Sequence, residues 1–423
     1  MKILVVGSGG REHALAWKIA QSPLCAELFV ATGNAGTAKW NVPIKANDID
    51  GLVKFAQEKN IDLTVVGPEE PLSLGIVDRF QAAGLKIFGP SKAAAQLESS
   101  KAFAKTIMVE AGVPTAEYRT FTSKEEARAY IGQIGAPVVI KADGLAAGKG
   151  VIVANLWEEA VEGLEKIMGG AFGSAGDQVV IEEYLEGQEV SLLCFCDGKT
   201  AIPMVAVQDH KRALNGDLGL NTGGMGTYSP PPFWTKELEK EVIETIALPT
   251  LEIMRKRGTP FVGVLFLGLM ITSEGPKVLE YNVRFGDPEA QTVMVLLKSD
   301  LVPILEACLT GSLNSTSIEW FNDAAVCVVM ASPGYPGNYR QGIPITLPDV
   351  KTKDEVIFHA GTKIEGNKLC SAGGRVLGVT VRGENLSQAR EKVYRLISQI
   401  NFPEAHYRTD IGLKGLQEGR TIT

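Results

Sequence analysis

Apolar positions along the chain fall into three regimes. Through the first hundred residues, short apolar runs alternate with amphipathic stretches. The runs KILVVG (2–7), ELFVAT (27–32), LTVVG (63–67) and KIFG (86–89) predict strands. Apolar residues at helical spacing predict helices over 12–21, 51–59 and 72–83. This alternation predicts a mainly parallel sheet with helices on both faces.

From about Ser100 the regime changes. Helices are predicted over 101–110, 123–131 and 157–167, and short strands over 137–141, 150–154 and 178–184. Together they form a small α+β lobe. Longer strands follow at 189–198, 201–210, 262–272 and 277–284. They read as two hairpins of a larger antiparallel sheet, with a helix over 236–257 between them. Helices at 289–297 and 301–310 close this unit. The last hundred residues look separate, with strands at 324–332, 355–362 and 374–383 and an amphipathic helix at 386–400. The expected fold is therefore α/β and α+β multidomain. Its units are an N-terminal parallel-sheet domain (1–101), a central domain (102–322) with a small mobile lobe at about 115–188, and a C-terminal α+β domain (323–423).

Composition narrows the function. The 423 residues carry 45% apolar and 22% charged side chains, enough for a real core. A net charge of -7 argues against broad nucleic-acid binding and against a basic membrane patch, so anionic ligands must be met by locally placed Lys and Arg. No apolar run approaches the ~20 residues of a spanning helix. The strand-and-turn start MKILVVGSGG lacks the features of a signal peptide. Six scattered cysteines without a CxxC pair suit reduced thiols in the cytoplasm. Four histidines without metal-ligand spacing disfavour a His-rich metal centre.

Against this background the segment VIKADGLAAGKGV (139–151) stands out. A β-branched strand delivers Lys141 into a loop with glycine at 144, 148 and 150 and a second lysine at 149. Glycine lets backbone N–H groups approach a ligand, and lysine adds a point charge for phosphate. The spacing is one residue too short for a P-loop, and Gly150 replaces the metal-binding hydroxyl. Taken alone, the segment fits either a phosphate site of different architecture or a glycine-rich hairpin with a surface lysine.

Other loops carry related chemistry. GSGGREH (7–13) lies between a strand and a helix, but Glu12 occupies the third glycine of a dinucleotide fingerprint. The second strand also ends in Ala31 and Thr32 rather than an acid, so nicotinamide binding is disfavoured. What survives is a helix start with glycine turns and Arg11, suited to a phosphate monoester. The loops 33–36 (GNAG) and 67–70 (GPEE) follow the next strands, and such loops converge at the carboxyl edge of a parallel sheet. On the strand KVLEYNVR, Glu280 and Asn282 are two apart and share a face, as oxygen ligands for Mg²⁺ would. Arg284 follows at the next position of that face, and Asp287 lies in the turn. IEEYLEGQEVS (181–191) offers Glu182, Glu183 and Glu189 around a linker. QDHKR (208–212) runs into the glycine loop NTGGMG (221–226). Taken alone, these last two also fit an acidic surface connection and an ordinary surface loop.

Taken together and in order, GSGGREH, GNAG, VGPEEPL, SKAFAK, KADGLAAGKGV, EEYLEGQEVS, QDHKR, NTGGMGTYSP, LEYNVRFGDPE, HAGT and SAGGRVLGV resemble the phosphoribosylamine–glycine ligase (glycinamide ribonucleotide synthetase) family of the ATP-grasp superfamily. The resemblance spans essentially the whole chain. It implies a central ATP-grasp fold that ligates glycine to 5-phosphoribosylamine with ATP, through glycyl phosphate. It implies Mg²⁺ or Mn²⁺ as the metal, small molecules as the only partners, and a monomer.

Residue by residue, the resemblance puts Lys105, Lys141, Gly148 and Lys149 at the ATP phosphates, with the loop 144–150 as a closing flap. Glu182 and the backbone near Leu185 meet adenine, and Glu189 the ribose. Glu280 and Asn282 hold the metal, and Arg284 stabilises the transferring phosphoryl group. Gly9, Gly10, Arg11, Asn34 and Glu69 line the phosphoribosylamine site, while Asp209, Lys211, Thr222, Gly223 and Asp287 surround the acceptor. Another ATP-grasp ligase, or a carboxylase of purine metabolism, is the alternative.

Overall fold

The computed structural model describes residues 1–145, 150–350 and 352–418. The N-terminal unit is an all-parallel sheet in the order Asn41–Val42, Glu27–Thr32, Lys2–Gly7, Leu63–Val66, Ile87–Phe88. From the strand Lys2–Gly7 the chain winds to one side through Glu27–Thr32 and to the other through Leu63–Val66. The loops after Gly7 and Val66 therefore flank the point where the strand order reverses, which is where open sheets of this kind form a crevice. The helix expected over 72–83 is two, Glu69–Leu74 and Ile76–Ala82. Gly75 separates them at φ +93°, a left-handed conformation that glycine adopts without a Cβ penalty.

The small lobe is a four-stranded antiparallel sheet, ordered Tyr118–Phe121, Val179–Glu183, Val138–Ala142, Val151–Ala154. Its first strand, YRTF, is short and only half-buried, and too little apolar for the sequence pattern to reveal. The lobe has its own apolar cluster, built by Ile131, Val138, Ile140, Leu164 and Ile181 among others. The main antiparallel sheet joins the two expected hairpins through Gln188–Asp197 against Val262–Thr272.

Two expectations change. The strand expected over 201–210 divides. Ala201–Pro203 pairs with Gln188–Asp197, and Val207 still bridges Ser191 after a one-residue slip of register. Gln208–Asp209 then leaves for another sheet. The last hundred residues do not close their sheet alone. One five-stranded sheet runs Gln208–Asp209, Gly226–Ser229, Ala324–Ala331, Arg375–Gly383, Glu355–His359, so two strands from the centre complete it. The N-terminal, central and C-terminal segments also share a core, in which Ile3, Val5, Phe195, Val293, Leu301, Ala325 and Phe358 pack together.

Candidate active site

A cavity of about 750 Å³ opens where the main sheet, the small lobe, the N-terminal sheet edge and the C-terminal sheet meet. A β-bulge helps to build it. Opposite Gly268 and Leu269, the strand Gly275–Asn282 carries Leu279 as an extra residue. Val278 and Tyr281 enter the core on one side, while Leu279, Glu280 and Asn282 line the cavity on the other.

Phosphate-type cations gather on one wall. Lys141 is the penultimate residue of the lobe strand Val138–Ala142, and Lys105 lies on the helix Lys101–Ala111. Glu182 stands between them, 2.8 Å from Lys141 and 3.2 Å from Lys105. Lys141 also donates to the Leu279 carbonyl at 2.8 Å, and Lys105 to Thr115 Oγ1 at 2.7 Å. Burial pushes Lys105 down to about 8, against the opposing pull of Glu182. Among the described residues Glu182 Oε1 finds no hydrogen-bond donor in good geometry, although Lys105 is its ionic neighbour.

The facing wall holds the carboxylates and Arg284. Burial would raise the Glu280 carboxyl, but Lys211, Lys141, Lys101 and Arg284 outweigh it and hold the group below its ordinary range. Arg284 donates to Glu98 at 2.8 Å and to Asn282 Oδ1 at 3.2 Å, and its Nε lies 3.4 Å from Glu69. Burial disfavours its charge, but Glu98 and Glu69 overcome this and keep it a cation. At the far end, Lys211 pairs with Glu189 at 3.0 Å, which raises its affinity for protons. Burial raises Asp209, and the neighbouring Glu289 carboxylate adds to the effect.

Arg11, Glu69, Lys105, Lys141, Glu182, Leu185, Glu189, Asp209, Lys211, Thr222, Gly223, Glu280, Asn282, Arg284 and Asp287 all line this cavity. Gly9, Gly10 and Asn34 are not among its lining residues. The Gly9 N–H instead donates to Glu12 at 2.5 Å. The Asn34 amide donates to the carbonyls of Ser8, at 2.9 Å, and His359, at 2.8 Å. Gly148 and Lys149, with most of the expected flap, lie outside the described residues.

The structure adds residues the sequence reading did not single out. Glu98 accepts from the Val283 N–H at 2.8 Å as well as from Arg284. Lys101 precedes Lys105 by four positions on the same helix and lines the cavity with it. Arg375 arrives from the C-terminal sheet. Helical spacing from Lys105 could have flagged Lys101, but nothing local to Glu98 or Arg375 separates them from ordinary surface charges.

Three family descriptions match consecutive parts of the chain. They are the N domain of phosphoribosylglycinamide synthetase over residues 1–98, its ATP-grasp (A) domain over 99–290 and its C domain over 325–414. The chain belongs to this family. Relatives named phosphoribosylamine–glycine ligase include those of Brucella melitensis, 48% identical over 99% of both chains, and Haemophilus influenzae, 51% identical over 99% of both. The solved phosphoribosylamine–glycine ligase of Thermotoga maritima is 35% identical and superposes with a TM-score of 0.85 over 97% of this chain and 100% of that one. Biotin carboxylase of Campylobacter jejuni, 16% identical with a TM-score of 0.70 over 98% of this chain and 94% of that one, shares the fold. Against this family, the nicotinamide reading of the first loop loses its remaining support. Among the described residues, no helix is long and apolar enough to cross a membrane.

Proposed function

We propose that the protein is an ATP-dependent ligase that joins glycine to 5-phosphoribosylamine, giving glycinamide ribonucleotide, ADP and phosphate in purine biosynthesis. The observation that carries this reading is one cleft holding phosphate-type lysines, an ionised carboxylate–amide pair and a charged arginine, in a chain that matches this family from end to end. A carboxylate is a poor acylating agent, because its leaving group would be oxide. Moving the γ-phosphoryl group of ATP to a glycine carboxylate oxygen supplies a good leaving group. The amine nitrogen of phosphoribosylamine then attacks the acyl carbon and phosphate departs. Such transfers depend on positioning and charge neutralisation.

The residues divide this work. Lys105 and Lys141 receive the ATP phosphates, with Glu182, expected at the adenine, paired to both as their counter-charge until the nucleotide arrives. Leu185 and Glu189 border the nucleoside. Arg284, kept charged by Glu98 and Glu69, faces the group in transfer. Arg11 and Glu69 meet phosphoribosylamine, while Asp209, Lys211, Thr222, Gly223 and Asp287 surround the acceptor. Glu280 and Asn282 supply hard oxygen ligands, and Glu280 stays ionised. Among the described residues, no three His, Cys, Asp or Glu side chains converge to hold a metal by themselves. That fits an ion that takes its other ligands from nucleotide phosphates, Mg²⁺ or Mn²⁺, whose role is to neutralise phosphate charge.

The units 1–101, 102–322 and 323–423 then serve the amine substrate, ATP and the closing wall. Reduced cytoplasmic conditions suit the six free cysteines. The test is phosphate release from ATP with glycine, with and without freshly generated phosphoribosylamine, and with bicarbonate in place of glycine. Amide formation that requires both glycine and the amine is expected. Turnover on bicarbonate alone would favour a carboxylase.

A further inference from the structure

The loop 222–225 closes one side of the cavity, yet its central peptide is gripped from the C-terminal segment. The Gly223 carbonyl accepts from Arg375 Nη1 at 2.5 Å, and the Gly223 N–H donates to Tyr335 Oη at 3.3 Å. The same Nη1 donates to the Asp287 carbonyl at 2.6 Å and reaches that of Gly224 at 3.4 Å. Arg375 Nη2 stands 3.6 Å from the Asp287 carboxylate. The Tyr335 ring lies against Gly374, where an added Cβ would come within 2.4 Å of it, so tyrosine and arginine act from adjacent backbone. One planar guanidinium thus ties the acceptor loop to the turn that carries Asp287. Its second terminal nitrogen faces the Asp287 carboxylate at the same time, which a single lysine ammonium cannot do while holding the carbonyls.

The contacts that hold the ATP wall are separate. Lys105 and Lys141 are fixed by Glu182, Thr115 and Leu279, and none of these touches Arg375. We propose that Arg375, assisted by Tyr335, is a positioning residue that sets the acceptor side of the cleft and so couples ATP cleavage to amide formation. This rests on the ligase reading above. Two nucleophiles compete for glycyl phosphate. When the amine is well placed, its nitrogen attacks the acyl carbon. When it is not, a water oxygen attacks there, the bond to phosphate breaks, glycine is regenerated and one proton goes to solvent. ATP is then consumed without amide.

The test compares wild type with Arg375→Lys and Gly223→Ala. Gly223 has an ordinary φ, and an added Cβ would come within 2.9 Å of Arg375 Cζ, displacing the guanidinium without changing any charge. Phosphate and amide are counted in the same reaction with ATP, glycine and phosphoribosylamine, alongside ATP affinity by calorimetry and a thermal melt. For both variants, ATP affinity should stay within about twofold, acceptor KM should rise roughly tenfold or more, and phosphate released per amide should climb from about one to several. Tyr335→Phe should move the ratio in the same direction but less. A ratio that stays at one overturns the inference, whether KM is unchanged or ATP affinity and melting temperature fall along with activity. Failure of the ligase reading has a different signature, because wild type itself would then form no amide.

Discussion

At the scale of the residue, the cleft works by balancing buried charges against one another. Lys105 is one group whose charge is sensitive to pH. Its pKa in the fold is about 8 against an ordinary 10.5, so its charge is lost as pH rises through 8. ATP affinity should weaken by up to roughly tenfold per pH unit above that point. Lys105→Arg, which stays charged, should flatten the profile. Calorimetric titrations between pH 7 and 9.5 decide this, and parallel profiles for the two proteins count against it. The sign for stability is opposite. Between about 8 and 10.5 the unfolded chain binds more protons at this lysine, so its contribution favours folding as pH rises. Glu280 tests the metal assignment. Glu280→Ala should cut turnover by roughly a hundredfold or more at ordinary magnesium while the melting temperature holds. A wild-type rate would remove Glu280 from the metal site.

At the scale of the element, Asp143 joins two parts of the ATP wall. It follows the strand that carries Lys141, and its Oδ1 accepts from the Ala102 N–H at 2.7 Å, in the first turn of the helix that carries Lys105. Ser100 caps the same turn by accepting from the Phe103 N–H at 3.1 Å. Asp143→Ala should cost about 1 kcal/mol of stability through the lost cap. It should also weaken ATP binding, since the two lysines lose their common anchor. An unchanged urea midpoint with full ATP affinity would show that the contact does neither. These elements also show what sequence makes legible. The parallel strands and the hairpin Val262–Thr272 with Gly275–Asn282 were readable because apolar runs and turn residues mark them locally. The break at Gly75 and the division of 201–210 were not, since each depends on a backbone conformation or a partner strand far away in sequence. In the same way, local spacing singled out Lys141, Glu280 and Asn282 as candidates, and all three line the cavity. Glu98 and Arg375 gain their meaning only from Val283, Arg284, Gly223 and Asp287, which the fold brings to them.

At the scale of the whole molecule, the units are interdependent to different degrees. The small lobe keeps its own apolar cluster, whereas the centre and the C-terminal segment share a sheet and a core. A chain ending at Asn322 leaves the strand Gly226–Ser229 without its partner Ala324–Ala331. Such a truncation should give no cooperative melt and no ATP binding; a soluble fragment with a sharp transition would show that the centre stands alone. The shared sheet also sets a timetable for biosynthesis. Roughly a hundred residues separate those two strands, which at about 5–20 residues per second leaves the earlier one waiting roughly 5–20 seconds on the ribosome. Arg375 emerges later still. The residues proposed to meet ATP, the last of them Arg284, are therefore all synthesised before the strand that completes this sheet, and before Arg375. The interval in which the earlier strand's edge stays unpaired is written into the order of the strands.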